Sequence, residues 1–387
     1  MSNLTTIIIL TDIGFSKRDY DRFGIEILAK RHQVEILDLT EWLSPNYWKV
    51  YPEKIFKCPG YKKILSYDDL ESAISSKNII NVVDYLSSDK AYSVLNYVKK
   101  RKLSITKILS GFLLENKRTF LEFLHKLFFL CFTPKILFKK FIKRLKKKEI
   151  VFSSYDYLVV GGKREMNNAL IKKAKKVIKS HSLDYDLFLS LKEKKISNNL
   201  KSYAVFLDQN IPFHPGAIFR GEKPKTTKEK YFPALNNFFT LFENKTGLEV
   251  IFAAHPRSRY DLYPEFLYGR KYFLLKTPEL IRDSKIVLLH TSTALSFAIL
   301  FNKPIIFLTS NEYQKSYDDF RINSYARSMN SLLFNIDEKN INSKIPSNNK
   351  IYFFDKEKYA EYKNNYLKFP KTPEKKSWEI FLDNISN

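Results

Sequence analysis

The sequence has 387 residues, 44% of them hydrophobic, and a formal net charge of +25 at pH 7. Its length exceeds the size at which one hydrophobic core usually stops growing, so we expect two domains, and its apolar content excludes a disordered chain. Two cysteines without a CxxC pair argue against a disulfide framework or a thiolate zinc cluster, and they fit a reducing, cytoplasmic location.

The first 40 residues predict a strand, a helix and a second strand. The apolar run at 7–10 follows no basic segment and is soon followed by Asp12, which indicates a buried β-strand rather than a signal peptide. The stretch YDRFGIEILAKR has helical spacing, and QVEILDL predicts the next strand. Two parallel strands joined by one helix form the βαβ unit of a doubly wound sheet. KNIINVVDYL and SITKILS predict further strands of this sheet.

Residues 117–148 differ from their surroundings. FLEFLHKLFFLCF is apolar but has charged interruptions, and it is shorter than the roughly 20 residues that a membrane-spanning helix needs. ILFKKFIKRLKKK places apolar residues on one helical face and lysines on the rest, as an interfacial helix on an anionic membrane does. A solvated basic helix packed on its own domain is the alternative. We do not expect nucleic acid as a partner, because no recognition signature accompanies the charge.

The strand pattern resumes at SYDYLVVGGKRE, and NNALIKKAKKVIK then predicts a helix. Gly161 and Gly162 end the strand on the side where open α/β sheets bind ligands, and we add them, with Asp12 and His214, as further cleft candidates. A polar, Lys/Asn-rich stretch at 192–201 predicts a linker. The predicted division is a first domain at 1–191, a second at 202–350, and a helical tail at 351–387 that packs back on the first domain.

The second domain shows a regular alternation of strands and helices. Strands are predicted at SYAVFLDQ, LEVIFAAHP, KIVLLHTS and KPIIFLT. The helices between them are KEKYFPALNNFFTLFENKTG, TPELIRDS and TALSFAILFN. The whole chain therefore predicts an α/β protein with two Rossmann-like, doubly wound domains that face a cleft, and with a basic amphipathic insertion in the first domain.

Polar residues follow three strands of the second domain. The residues are Asp208, then His255, Pro256 and Arg257, then His290, Thr291, Ser292 and Thr293. Because strand carboxyl ends meet at one crevice, we expect these groups to converge. Hydroxyls and free backbone N–H groups can bind a phosphate, a histidine can assist its departure, and a carboxylate can act as a base. Each group taken alone also has a structural explanation, as a helix cap, a core histidine or a turn residue.

Other chemistries fit the sequence less well. It has no GxSxG elbow, no Walker loop and no GxGxxG motif. A metal site built from His214, His255, His290 and Asp208 would lack a close ligand pair such as HxxxH. We therefore expect neither a metal nor a resident cofactor.

AAHPR followed by TPELIRDSKIVLLHTSTALSFAILFNKPIIFL resembles bacterial GT-B glycosyltransferases that use CMP-activated nonulosonic acids, the sialyltransferases and β-Kdo transferases. The resemblance covers about 203–309. It implies that Asp208 is the general base of an inverting enzyme or the nucleophile of a retaining one. It also implies that His255 contacts the CMP phosphate, and that Ser292 and Thr293 hold the phosphate or the donor carboxylate.

The sequence departs from that pattern in one motif. Sialyltransferases usually show an acidic pair followed by Gly, where this chain has Asp208, Gln209 and Asn210. The CDP-glycerol phosphotransferases of teichoic acid synthesis share the HP motif, the Ser pair and the KPIIF-type strand. They usually have an acidic residue and a Tyr where this chain has His290 and Thr291.

These observations favour one function over three alternatives. The favoured function is a metal-independent transferase that moves a CMP-linked nonulosonic acid to a glycan or lipid-linked glycan in capsule or lipopolysaccharide synthesis. We expect the enzyme to be peripheral at the inner face of the cytoplasmic membrane. The alternatives are a CDP-glycerol or a UDP-sugar transferase on the same fold, or a non-catalytic, membrane-associated scaffold.

Overall fold

The computed structural model describes residues 5–45, 47, 56–75, 77–88, 90–109, 154–194, 202–213, 224, 226–256, 258–313, 317–347 and 349–385. The basic segment at 117–148 lies outside these ranges, as do His214, Arg257 and most of the predicted linker. Within the described ranges, no helix has both the length and the apolar character that crossing a membrane requires.

The described part of the first domain forms one parallel sheet of seven strands. The strands are β1 (Thr6–Thr11), β2 (Gln33–Asp38), β3 (Tyr61–Lys63), β4 (Ile79–Tyr85), β5 (Ile105–Leu109), β6 (Tyr157–Val160) and β7 (Lys176–Lys179). They lie in the order β3-β2-β1-β4-β5-β6-β7, so the chain winds outward from β1 in both directions. The helices on this domain are α1 (Lys17–Arg22), α2 (Ile25–Leu28), α3 (Thr40–Leu43), α4 (Tyr67–Ile74) and α5 (Ala91–Lys100). Apolar clusters cover both sheet faces.

The second domain contains a parallel sheet of six strands. The strands are β8 (Tyr203–Leu207), β9 (Glu249–Ala254), β10 (Tyr272–Leu274), β11 (Ile286–Leu289), β12 (Ile305–Thr309) and β13 (Leu332–Asn335), in the order β10-β9-β8-β11-β12-β13. The helices that follow β7 along the described chain are α6 (Leu183–Lys192), α7 (Lys228–Thr246), α8 (Thr277–Asp283), α9 (Leu295–Leu300), α10 (Tyr317–Ser328), α11 (Ile341–Lys344), α12 (Lys356–Tyr362) and α13 (Ser377–Ile385). Two doubly wound parallel sheets confirm the predicted α/β fold class.

Two local predictions are wrong. The helix predicted at NNALIKKAKKVIK is replaced by two short 3-10 turns and the strand β7. Ile178 is buried in β7 while its flanking lysines are exposed, and lysines of this kind protect an edge strand from further pairing. The helix predicted at YDRFGIEILAKR is divided into α1 and α2 at Gly24, which has φ +55°. A Cβ on Gly24 would lie 2.5 Å from Cδ1 of Trp378, so glycine permits this close packing.

The chain crosses between the two cores near both ends of the second domain. Tyr185 and Phe188 of α6 belong to the core that covers one face of the second sheet. Helix α12 packs on the same core, whereas Trp378 of α13 is buried against Phe23 in the first domain. The indole Nε1–H of Trp378 donates to the carbonyl of Arg22 at 2.8 Å. The domain limits drawn from the sequence stay predictions.

Candidate functional site

The carboxylate of Asp208 joins the loop after β8 to the loop after β9. Its Oδ1 accepts a hydrogen bond from the N–H of Asn210 at 2.7 Å, and this turn holds Asn210 at φ +49°. Its Oδ2 accepts from the hydroxyl of Ser258 at 2.8 Å and from the N–H of His255 at 3.2 Å. A single side chain therefore sets the start of the His255 loop relative to the first strand of this domain.

Asp208 is only 6% exposed. Burial raises the pKa of its carboxyl group because it penalises the charged form, and the hydrogen bonds from Asn210, Ser258 and His255 oppose that rise. Since both carboxylate oxygens already accept hydrogen bonds from the loops, the geometry assigns Asp208 a positioning role. The role of base or nucleophile that the resemblance implies stays a prediction.

Gln209 connects the same loop to the HTST run after β11. Its Oε1 accepts from the N–H of Thr291 at 2.9 Å, and its Nε2 donates to the carbonyl and the hydroxyl of Thr291 at 3.2 and 3.3 Å. Gln209 was not among the site residues predicted from the sequence. Its place directly after Asp208 at a strand end was the signal that could have identified it. Asp208 and Gln209 thus connect the loops that follow three neighbouring strands, β9, β8 and β11.

His290, the first residue of the HTST run, differs from the other three in its burial. His290 is 1% exposed, its Nδ1 lies 2.7 Å from the carbonyl of Leu308, and its Nε2 lies 2.9 Å from the hydroxyl of Tyr231. Because a carbonyl can only accept, Nδ1 carries the hydrogen and Nε2 accepts from Tyr231. Burial lowers the pKa of His290 to about 4, so the ring is neutral near pH 7.

The rest of the HTST run is accessible. Thr291 and Ser292 are half-buried and Thr293 is exposed. The hydroxyl of Ser292 accepts from the N–H of Ala294 at 3.2 Å, so it closes the turn that leads into α9. The hydroxyls predicted to bind the donor therefore lie at the surface, whereas the imidazole predicted beside them lies in the core.

His255 and Pro256 begin the loop after β9. His255 is half-buried and Pro256 is exposed, and the N–H of Ser258 closes the turn onto the carbonyl of His255 at 2.8 Å. His255 is therefore the partly exposed titratable residue beside the bond network of Asp208. The described residues contain no group of three or more His, Cys, Asp or Glu side chains that could hold a metal ion.

The cleft candidates of the first domain make contacts within the protein. Asp12 is fully buried, and its carboxylate accepts from the N–H groups of Ser87 and Ser88, both at 2.8 Å. A Cβ on Gly162 would lie 2.3 Å from the carbonyl oxygen of Asn365, and one on Gly161 would lie 3.1 Å from a backbone nitrogen. Protein backbone therefore lies directly against Gly162. The ligand-binding role of these residues stays a prediction.

No protein-family model matches the sequence, and no curated protein matches it either. The structure is similar to that of the wall teichoic acid polymerase TagF, with a TM-score of 0.52 and 11% identity over 99% of this chain and 89% of that chain. UDP-N-acetylglucosamine 2-epimerase from Rickettsia bellii has a TM-score of 0.49 and 12% identity over 99% of this chain and 97% of that chain. UDP-GlcNAc 2-epimerase from Neisseria meningitidis bound to UDP-GlcNAc has a TM-score of 0.49 and 12% identity, over 99% and 100% of the two chains. At such identity the TagF likeness shows the fold alone, which is the predicted GT-B architecture.

Proposed function

We propose that this protein is a glycosyltransferase that binds a nucleotide-activated sugar at the strand-end loops of its second domain. The observation that supports this function is the joining of the loops after β8, β9 and β11 by Asp208 and Gln209. This arrangement brings a half-buried histidine and accessible hydroxyls to one end of a GT-B sheet. Such groups suit the departure of a sugar from a phosphate.

The donor we propose is a CMP-linked nonulosonic acid of the Kdo or sialic acid type. The resemblance of AAHPR and the HTST run to transferases for such donors supports it. The acceptor is a glycan or a lipid-linked glycan in surface polysaccharide synthesis. The enzyme requires no metal or resident cofactor, binds no nucleic acid, and associates with the inner face of the cytoplasmic membrane, with the basic segment at 117–148 contributing to that contact.

In this reaction an acceptor hydroxyl attacks the anomeric carbon of the donor sugar, the bond from that carbon to the phosphate oxygen breaks, and CMP leaves. The acceptor proton passes to a base. His255 donates a hydrogen bond to the departing phosphate, and Ser292 and Thr293 bind its oxygens. Asp208 positions the backbone N–H of His255, and it is our candidate for the base or nucleophile if the loops rearrange when donor binds.

Nucleotide binding tests the proposal directly. Melting temperature and calorimetric titration should be measured with CMP, CDP, UMP and UDP. We expect CMP to raise the melting temperature and UMP to have a much smaller effect, because the base distinguishes the two. Selective stabilisation by CDP, with turnover of CDP-glycerol, would assign the chain to glycerophosphotransfer instead. If none of the four nucleotides binds, the transferase proposal fails and the scaffold alternative gains support.

A further inference from the structure

Asp184 lies where the chain enters the second domain, and its carboxylate contacts elements of both domains. It is the second residue of α6 and is 8% exposed. Its Oδ2 accepts a hydrogen bond at 2.6 Å from the hydroxyl of Ser296, in the first turn of α9. Its Oδ1 lies 3.6 Å from a guanidinium nitrogen of Arg22, the last residue of α1 in the first domain. One buried carboxylate therefore connects α9 to α1.

Helix α6 begins between the two cores. Leu183 belongs to the cluster that covers one face of the first sheet, whereas Tyr185 belongs to a cluster on the second sheet. The side chains of Arg22 and Asp184 are 17% and 11% exposed, so salt screens this ion pair less than it screens a pair at the surface. The carbonyl of Arg22 accepts from the indole of Trp378, which fixes the backbone from which the guanidinium extends. Both partners of the ion pair are therefore held by packing.

Ser296 connects this ion pair to the HTST run. Its hydroxyl oxygen lies 3.2 Å from the carbonyl of Thr293, and its N–H donates to the same carbonyl at 3.4 Å. A serine hydroxyl has one hydrogen, and the nearer, charged carboxylate of Asp184 is the stronger acceptor. The hydrogen therefore points to Asp184, and the carbonyl of Thr293 is the acceptor to which it turns when the carboxylate is displaced. The carboxylate thereby acts on the turn that presents the hydroxyls predicted to bind the donor.

Asp186 lies two residues further along α6 and has different contacts. It is also 8% exposed, but its Oδ1 accepts from the N–H of Ser377, the first residue of α13, at 2.7 Å. Asp184, by contrast, contacts the helix that follows the HTST run. The two aspartates share a helix and a degree of burial, so Asp186 is an internal control for a role of Asp184 in donor binding.

We propose that Asp184 is a positioning residue that couples the HTST turn to α1 of the first domain. When a donor phosphate binds Ser292 and Thr293 it fixes this turn, and the contacts through Ser296 and Asp184 then fix α1 as well. By thermodynamic linkage, the placement of α1 affects donor affinity by the same factor. Because α1 follows the carboxyl end of β1, the coupling joins the donor loop to the ligand-facing end of the first sheet. The donor part of this inference rests on the proposed function, whereas the contact between the two helices is tested without ligand.

Hydrogen exchange of the ligand-free protein tests the contact across the domains. Arg22→Gln, in the first domain, should make the backbone amides at 295–297 in α9 exchange about fivefold faster, because the carboxylate then lacks the cation that orients it. In a Ser296→Ala background the same substitution should not change these amides, because the connection is already broken. Arg31→Gln is the control, since it removes a first-domain ion pair with Asp383 of α13, at 3.4 Å, and should leave α9 unchanged. Unchanged exchange in Arg22→Gln, or an equal effect in the Ser296→Ala background, would overturn the proposal.

CMP titration of variants at the two α6 aspartates tests the link to the donor. Asp184→Asn keeps an oxygen that can accept from Ser296 but removes the charge facing Arg22, so it should weaken CMP binding about fivefold. Asp186→Asn should bind CMP like the wild type, although both variants replace a carboxylate of equal exposure. Equal CMP affinity in the two variants would contradict the coupling. If the wild type itself binds no CMP, the proposed donor is refuted, and the exchange measurement still decides whether the two helices are coupled.

Discussion

The first strand of each domain is followed directly by an aspartate, and the two residues differ in what they hold. Asp12 follows β1 and accepts the N–H groups of Ser87 and Ser88 in the loop after β4. Asp208 follows β8 and holds the loop that contains His255. Both carboxylates are buried and both act as clamps between strand ends. Both clamps have hydroxyls beside them, but among the described residues only the clamp of the second domain holds the loop of a half-buried histidine, so we infer that the chemistry lies there.

The largest effect is expected from His255, which distinguishes the strand-end loops of the second domain from those of the first. His255→Asn should reduce the rate of CMP release by at least about 100-fold, because a group that assists proton transfer or leaving-group departure typically contributes that much. The melting temperature should stay near that of the wild type, because the side chain is half-buried. The matched control is His32→Asn. His32 is another half-buried histidine, which lies just before β2 and whose ring is hydrogen-bonded to the hydroxyl of Thr5. Wild-type turnover in His255→Asn would remove His255 from the mechanism.

Replacing each aspartate tests whether the two clamps differ in function as well as in position. Asp12→Ala and Asp208→Ala should each lower the free energy of unfolding by about 2 kcal/mol, because each removes a buried carboxylate that accepts several hydrogen bonds. Only Asp208→Ala should also slow transfer, by less than His255→Asn does, and weaken CMP binding. Urea denaturation and CMP titration of both variants measure the two effects. Loss of CMP affinity in Asp12→Ala of similar size would show that the first domain shares the site.

His290, the buried histidine of the second domain, should make the stability of the protein depend on pH. Its pKa is about 4 in the folded chain and near 6.5 when unfolded, so the unfolded state binds the extra proton first. The stabilising contribution of the neutral ring is therefore complete above about pH 6.5 and falls as the pH decreases toward 4. His290→Gln keeps a donor and an acceptor without titrating.

Urea denaturation of wild type and His290→Gln at pH 7 and pH 4.5 provides the measurement. The wild type should lose about 2 kcal/mol more stability than the variant between these two pH values. An equal loss in both proteins would mean that the ring is not held neutral in the core, and would return His290 to the set of ligand-binding candidates.

The elements of the fold were more predictable than the contacts of the site. Short apolar runs such as 7–10 identified strands because a buried parallel strand is apolar throughout. The strands β10 and β13 were not identified, since they have three and four residues and little sequence signal. The bonds from Asp208 to Ser258 and from Gln209 to Thr291 connect residues 50 and 82 positions apart, so no local pattern contains them.

The burial of His290 could not be predicted from the local sequence either. Its ring is held by Tyr231 and Leu308, which come from α7 and β12, and only the folded sheet brings these elements to it. A sequence pattern can place a residue at the end of a strand, because the extent of a strand is set by residues that are adjacent in the sequence. It cannot decide whether the side chain faces the core or the cleft, because this depends on the packing of distant elements.

The smallest effect is expected from Gln209, which extends the second clamp to a third loop. Gln209→Ala should raise the KM for donor about tenfold with little change in kcat, because the variant frees the Thr291 loop without removing a group that contacts the reacting atoms. Gln33→Ala, in the first domain, is the matched control and should leave KM unchanged. Gln209→Glu keeps the oxygen that accepts from the N–H of Thr291, so it should recover part of the loss. If Gln209→Ala lowered kcat instead, the residue would act on the reaction itself, and the clamp of the second domain would be part of the chemistry rather than its support.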